Sequence, residues 1–352
     1  MKVDYYLPGT PLSSVAEEAQ KAAEFGHDGF FAAETSHDPF MPLALANNAA
    51  PELTIGTAIA VAFPRSPMVT ANLAWDLAAF SRGKFILGLG TQVKAHITRR
   101  FAGEWLPPGP RMRDYLQAMR VIFNSWQSGE PLKYEGEFYR FSLMTPFFNP
   151  GPIRHPEVPM AIAGVGPYMC KLAGELCQGL HVHPFHTVKY LDEVVLPQVS
   201  VGAKASGRTL SDIDRIATVF VVTGHNQAEI EQAMDPVRQQ IAFYASTPDY
   251  GAVLELHGWD IADRLRALSR KGEWGEMAKL ITDEMVAEMA VIAPLDQLGA
   301  AIRARYGDRI QRIGYYALNG GSSWPREEWL HLIASTRSDM KEQKEEGRAG
   351  HV

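Results

Sequence analysis

The feature that most constrains the fold is an uninterrupted apolar segment, Phe-Ile-Leu-Gly-Leu-Gly at residues 85–90, with polar residues directly after it. A strand with one buried face alternates apolar and polar residues, whereas a strand buried on both faces is apolar throughout. Burial on both faces is typical of parallel sheets covered by helices. The segment therefore predicts a parallel α/β sheet with functional groups at the carboxyl ends of its strands.

Similar apolar segments recur along the chain and alternate with segments of helical periodicity. Besides residues 85–90, strands are predicted at 3–7, 29–34, 54–62, 159–164, 179–184, 216–223 and 312–318. Strand–helix units joined by short loops require a parallel sheet with right-handed crossovers. Eight such units predict a closed (β/α)8 TIM barrel, and an open doubly wound sheet is the alternative.

Two segments interrupt this repeat. Residues 127–157, after strand four, contain a predicted hairpin at 134–141. Residues 248–290, after strand seven, contain helical patterns and no predicted strand. We expect both to be insertions that cover the mouth of a single barrel domain, residues 1–338, followed by a charged tail at 339–352.

Composition and charge argue against several functional classes. The formal net charge of −6 gives no basic excess of the kind that nucleic-acid binding needs. Cys170 and Cys177 can form neither a disulfide framework nor a CxxC metal site, which favours a reducing, cytoplasmic location. No signal peptide and no apolar segment of membrane-spanning length is expected. Composition and charge therefore favour a cytoplasmic protein that binds neither nucleic acid nor a membrane.

Three titratable residues follow predicted strand two, at the expected mouth of the barrel. His37 could serve there as a proton donor or acceptor. Asp38 precedes a proline and could simply cap the next helix. Glu34 ends a buried strand, where an ionised carboxylate needs a partner, either an internal ion pair or a cofactor. His37, Asp38 and Glu34 are the candidate catalytic residues.

Two further strand ends carry possible ligand-binding groups. The turn at residues 163–166 joins strand five to the start of a helix, where free N–H groups favour a phosphate, although it could also be only a tight turn. His181 and His183 lie on one face of strand six and could begin a metal site. Only His186 is nearby as a further ligand, so no metal site is predicted.

Four motifs together resemble the luciferase-like monooxygenase superfamily. They are Gly-Lys-Phe-Ile-Leu-Gly-Leu-Gly-Thr at 83–91, the Gly-Val-Gly-Pro turn at 164–167, Glu-Thr-Ser-His-Asp-Pro-Phe at 34–40 and Gln-Val-Lys-Ala-His at 92–96. The last two resemble an actinobacterial subgroup of the branch that uses the deazaflavin coenzyme F420. The resemblance covers roughly residues 2–335. It implies hydride transfer between the deazaflavin C5 atom and a small organic substrate.

The resemblance also implies a cofactor site in the barrel mouth, with the ring backed by a bulge and a cis peptide after strand three. By position, the implied cofactor-binding residues are Ala58, Ile59, Val61, Gly90, Thr91, His96, Ala163, Gly164, Val165, Gly166 and His183. Family dehydrogenases carry Asp-His directly after strand two, where this chain has Glu34-Thr35. The acid/base role is therefore assigned to His37, oriented by Asp38 or Glu34.

Other functions remain open at this point. FMN in place of F420, with O₂-dependent monooxygenation, is the nearest alternative. A metal-dependent barrel hydrolase and a non-catalytic deazaflavin carrier belong to different classes. The resemblance further implies a homodimer formed by the outer helices after strands two and three. Cations expected along the exit route of the cofactor tail are Arg65, Lys94, Arg99 and Arg100.

Overall fold

Eight parallel strands form a closed barrel in the computed structural model, which describes residues 1–316 and 324–337. The closure is direct, because Lys2 of the first strand lies opposite Arg312 of the last. The strands, with two short additions and an outer hairpin, are β1 Lys2–Tyr6, β2 Gly29–Ala32, β3 Thr54–Thr57, β4 Ala60–Val61, β5 Phe85–Gly90, β6 Tyr134–Glu135, β7 Arg140–Phe141, β8 Met160–Gly164, β9 Gly179–Val182, β10 Asp214–Val222, β11 Ala290–Ile292 and β12 Arg312–Tyr316. The predicted TIM barrel is confirmed.

Helices follow the barrel strands and surround the sheet. They are α1 Val15–Glu24, α2 Phe40–Ala49, α3 Pro67–Phe80, α4 Lys94–Arg99, α5 Pro108–Ser128, α6 Pro167–Leu176, α7 Val188–Tyr190, α8 Leu196–Ala205, α9 Gln227–Ala245, α10 Gly251–His257, α11 Ala262–Lys271, α12 Trp274–Ala278, α13 Asp283–Met289, α14 Leu295–Tyr306 and α15 Arg326–Arg337. A π-helical segment, Leu191–Val195, joins α7 to α8. Among these helices, none is long and apolar enough to cross a membrane.

Three local predictions differ from the structure. Strand three, predicted at 54–62, is divided into β3 and β4 by a cis peptide bond between Ala58 and Ile59. No strand was predicted between residues 223 and 312, and this was wrong, because β11 at Ala290–Ile292 pairs in parallel with β10. Its Ala-Val-Ile sequence is too short for periodicity to separate strand from helix. Helix α4 was not predicted. The end of the last predicted strand at 317–318, the Asn-Gly-Gly sequence that follows it at 319–321 and the predicted tail at 339–352 lie outside the described residues.

The barrel interior is arranged in layers that pair small residues with large ones. At the lower end, the Arg312 guanidinium forms two hydrogen bonds with Asp4, of 2.9 and 2.5 Å, and both side chains are buried. In the middle, a side chain at Gly88 would lie 2.5 Å from His181 Nε2. Because inward-facing residues alternate along a strand, the next layer toward the mouth contains Gly90 and His183.

The two long segments take different positions. The hairpin β6–β7 is attached to helix α5, because Asp114 accepts hydrogen bonds from the backbone N–H groups of Phe138 and Tyr139. The segment after α9 reaches the end of β9, where the Tyr250 hydroxyl lies 3.1 Å from His183 Nε2. This second segment therefore contributes directly to the barrel mouth.

Candidate active site

A three-residue ion-pair cluster joins the loop after β2 to the loop after β4. Arg65 donates to Glu34 Oε2 at 2.7 Å, to Asp38 Oδ2 at 2.8 Å and to the Val61 carbonyl at 3.1 Å. Glu34 Oε2 also accepts from the Val61 N–H at 2.7 Å. The Glu34 backbone N–H donates to the Ile59 carbonyl at 3.0 Å. Glu34 and Arg65 therefore hold the bulge between β3 and β4 against strand two.

This geometry decides two interpretations that the sequence left open. Glu34 forms an internal ion pair, and its side chain is only 6% exposed. Asp38 caps helix α2, because its Oδ1 accepts from the Phe40 N–H at 2.8 Å. Arg65, considered as a cation for the cofactor tail, is instead engaged in this cluster.

His37 lies on the exposed loop between β2 and α2. Neither carboxylate orients it, because Glu34 and Asp38 are both bonded to Arg65. Within the described residues, the His37 side chain has no hydrogen-bond partner. His37 is therefore free to contact a ligand at the mouth.

The expected ring site has a floor of small and aliphatic groups. A side chain at Gly90 would lie 2.5 Å from Ile59 Cδ1 and 3.7 Å from the Cβ of Ala163. Glycine thus allows the Ile59 side chain to lie over the end of β5. Below this point, the Thr57 hydroxyl bonds both the N–H and the carbonyl of Gly88, at 2.8 and 2.7 Å. Three adjacent strands contribute to one apolar surface.

The turn after β8 leads into the N-terminus of helix α6, as expected. Gly166 is the N-cap residue, and no side chain caps this end. A side chain at Gly166 would meet no atom within 4 Å, whereas one at Gly164 would lie 2.9 Å from Leu180. The Val165 carbonyl faces inward and accepts from the Tyr190 hydroxyl at 3.0 Å. Uncapped N–H groups beside open space suit an anion.

His96 and Thr91 lie in the segment that follows β5. His96 is exposed on helix α4 and Thr91 is half-buried. Helix α4 lies beside the end of strand two, because Arg100 at its C-terminus donates to the Thr35 carbonyl. Lys94 and Arg99 are exposed on the same helix. The segment thus places cations at the rim.

His183 sits in an aromatic wall that the sequence did not reveal. Its ring lies 4.7 Å from the ring of Tyr244 and 4.4 Å from that of Tyr250. Burial lowers the pKa of His183 to about 3, with a further contribution from His186. Tyr244 and Tyr250 were missed because they belong to no repeated pattern. The one available signal was that Tyr250 lies in the segment 248–290, which was predicted to cover the mouth, and that Tyr244 lies just before it.

His181 does not combine with its neighbours into a metal site. Burial lowers its pKa to about 3, as it does that of His186 to about 4. The Nε2 atoms of both are buried without a hydrogen-bond partner. No three His, Cys, Asp or Glu side chains in residues 1–316 and 324–337 are placed to share a metal ion.

Comparisons with known proteins identify the family to which the chain belongs. Residues 2–312 match the profile of the luciferase-like monooxygenase family. An uncharacterized protein of Mycobacterium tuberculosis is 44% identical over 314 residues, which cover 89% of this chain and 92% of that protein. A 5,10-methylenetetrahydromethanopterin reductase of Methanolobus tindarius is 26% identical over 303 residues, which cover 84% of this chain and 88% of that one.

The fold also matches a solved structure. The coenzyme F420-dependent tetrahydromethanopterin reductase of Methanopyrus kandleri superposes with a TM-score of 0.76 at 20% identity, covering 94% of this chain and 96% of the other. At 20% identity, this match shows only that the two proteins share the barrel fold. Together with the profile match over most of the chain, it gives a clear assignment: the chain belongs to the luciferase-like monooxygenase family and is an oxidoreductase.

Proposed function

We propose that this protein is an F420-dependent oxidoreductase that transfers a hydride between the C5 atom of the deazaflavin and a small organic substrate. The observation that carries the proposal is the apolar floor formed by Ile59, Gly90 and Ala163 beside the uncapped N-terminus of α6. The named relative from Methanolobus tindarius, a reductase, supports the same class of chemistry. When bound, the deazaflavin supplies the hydride chemistry.

The residues present fit such a cofactor. A planar ring system needs a flat apolar surface to lie on. Gly90 and Ala163 carry no bulky side chain, so the aliphatic side chain of Ile59 can lie flat against them and complete such a surface. The cofactor phosphate would bind at Gly166, where the N–H groups and the helix dipole favour an anion. The acidic tail would pass the exposed cations Lys94 and Arg99.

Proton transfer is assigned to His37. It is exposed and has no hydrogen-bond partner within the described residues, so its imidazole can donate to or accept from a substrate atom. Glu34 and Asp38 do not orient His37; through Arg65 they hold the bulge between β3 and β4 in place. The expected result for His37→Ala is retained F420 affinity with a large loss of turnover. Unchanged turnover would remove His37 from the mechanism.

The proposal is tested by reconstitution with F420 and, separately, with FMN. The bound deazaflavin should show its absorbance band at shorter wavelength than a flavin would. Gly166→Asp should weaken F420 binding strongly, because a carboxylate repels the phosphate. Gly275→Asp is the matched control, because a side chain at either glycine meets no atom within 4 Å. Tight FMN binding without F420 binding would favour the monooxygenase alternative.

We also propose a homodimer formed through helices α2 and α3. Four large apolar side chains on these helices are between 41% and 59% exposed: Met41, Leu45, Val69 and Phe80. Exposed apolar surface of this kind is typical of interfaces. Light scattering should give twice the monomer mass for the wild type and the monomer mass for Met41→Lys combined with Val69→Lys. Leu12→Lys, at 41% exposure outside these helices, should remain dimeric.

A cytoplasmic location is part of the proposal. Cys170 and Cys177 are both buried free cysteines. Burial raises the pKa of each thiol to about 12, which makes both unreactive. Localisation of the tagged protein by cell fractionation tests this directly.

A further inference from the structure

A directed chain of hydrogen bonds ends at the barrel mouth. The Phe185 backbone N–H donates to His183 Nδ1 at 3.1 Å, so this nitrogen carries no proton. The neutral ring therefore has its proton on Nε2, which lies 3.1 Å from the Tyr250 hydroxyl oxygen. His183 donates to Tyr250, and the Tyr250 O–H proton must point elsewhere.

The hydroxyl proton has no acceptor within the protein. Among residues 1–316 and 324–337, the Tyr250 side chain makes no hydrogen bond other than the one from His183. Burial raises the pKa of Tyr250 to about 12, so the hydroxyl keeps its proton at neutral pH. A half-buried donor without an acceptor is a strong recognition group for a ligand atom.

The surroundings restrict the chemistry of that ligand atom. The rings in contact with His183 and Tyr250 belong to Tyr244 and Phe185, and neither carries a charge at neutral pH. The charge of Asp249 also acts on Tyr250, so an anionic ligand atom would lose hydration here and be repelled. A neutral acceptor attached to an apolar body suits the site better.

We propose that Tyr250, oriented by His183, is a hydrogen-bond donor that recognises a carbonyl oxygen in the barrel mouth. The inference rests on the proposed function, because the carbonyl belongs either to the deazaflavin ring or to the substrate of hydride transfer. In the second case the substrate class is a neutral, largely apolar carbonyl compound or the corresponding alcohol. His183 is a positioning residue, since both of its ring nitrogens are used within the protein.

The test compares Tyr250→Phe with Tyr315→Phe. Tyr315 belongs to barrel strand β12, but its hydroxyl lies 2.8 Å from the Thr336 hydroxyl on the outer helix α15, so its variant loses one hydroxyl on the helix side of the sheet. F420 affinity is measured by fluorescence titration, and KM is measured for benzaldehyde and cyclohexanone with reduced F420. We expect Tyr250→Phe either to bind F420 about tenfold more weakly or to have an about tenfold higher KM for the carbonyl compounds. Tyr315→Phe should change neither quantity.

The two measurements locate the carbonyl. Weaker F420 binding places it on the cofactor ring, and a raised KM with unchanged F420 binding places it on the substrate. If F420 affinity and the response to both carbonyl probes match the wild type, the proposal is overturned. Failure of the wild type to bind F420 would refute the proposed function instead.

Two further measurements test the role of His183, and the first of them does not depend on turnover. In protein containing ¹⁵N-labelled histidine, the His183 resonances should show a neutral ring protonated on Nε2 between about pH 5.5 and 8. A proton on Nδ1, or titration in that range, would overturn the hydrogen-bond chain. The second measurement uses a double variant. Because His183 acts through Tyr250, His183→Phe combined with Tyr250→Phe should change F420 affinity or KM, whichever Tyr250→Phe affects, by about tenfold, as each single variant does. Independent residues would give about a hundredfold change instead.

Discussion

Replacing Arg65 with methionine tests the cluster that shapes the cofactor site. The change removes hydrogen bonds to Glu34 and Asp38 and leaves a carboxylate that is 6% exposed without its counter-ion. Losing a charged partner of a mostly buried group costs about 1.5–3 kcal/mol. The bond to Asp38, which is 38% exposed, adds about 0–1 kcal/mol. The free energy of unfolding should therefore fall by about 1.5–4 kcal/mol.

The assay is urea unfolding followed by tryptophan fluorescence, with F420 affinity measured in parallel. Arg140→Met is the control, because Arg140 and Glu135 are 76% and 74% exposed and lie 3.7 Å apart. Glu34→Gln combined with Arg65→Met should recover at least about 1 kcal/mol, since a neutral amide can accept from the Val61 N–H without a counter-ion. A loss below about 0.5 kcal/mol in Arg65→Met, or no recovery in the double variant, would refute this reasoning.

Two more predictions concern the floor of the site and a surface ion pair. Gly90→Ala should weaken F420 binding and lower the free energy of unfolding by about 1–3 kcal/mol, because its Cβ would lie 2.5 Å from Ile59. Unaltered affinity would show that this floor does not carry the ring. Hydrogen bonds to Glu229 and Glu328 raise the pKa of His225. The ion pairs of protonated His225 with these carboxylates therefore stabilise the folded protein fully below pH 6.5, and this stabilisation is lost as pH rises through the folded-state pKa. His225→Gln should lower the free energy of unfolding at pH 5.5 and leave it unchanged at pH 9.

Much of the fold could be predicted from the sequence, because buried parallel strands are apolar throughout. The segment at residues 85–90 identified such a strand without any structural information. The short strand β11 could not be found in this way, since three apolar residues fit a helix equally well. Its pairing with β10 depends on tertiary contacts that no local pattern records.

The candidate site was less predictable than the barrel. Strand order placed Gly90, Ala163 and His183 at one end of the sheet, because parallel strands end at a common face. Sequence could not show that Arg65 bridges Glu34 and Asp38, since Arg65 lies on the loop after β4 and the two carboxylates lie on the loop after β2. It also could not show that Tyr250 contacts His183, because the two residues are 67 positions apart in the chain.

The identity of the bound cofactor tests the central claim most directly. Purified protein is mixed with F420 and with FMN in parallel, and the bound fraction is identified by absorbance and mass. We predict stoichiometric F420, weakened by Gly166→Asp and unaffected by Gly275→Asp. Stoichiometric FMN with no bound F420, or F420 affinity equal in both variants, would contradict the proposed deazaflavin site.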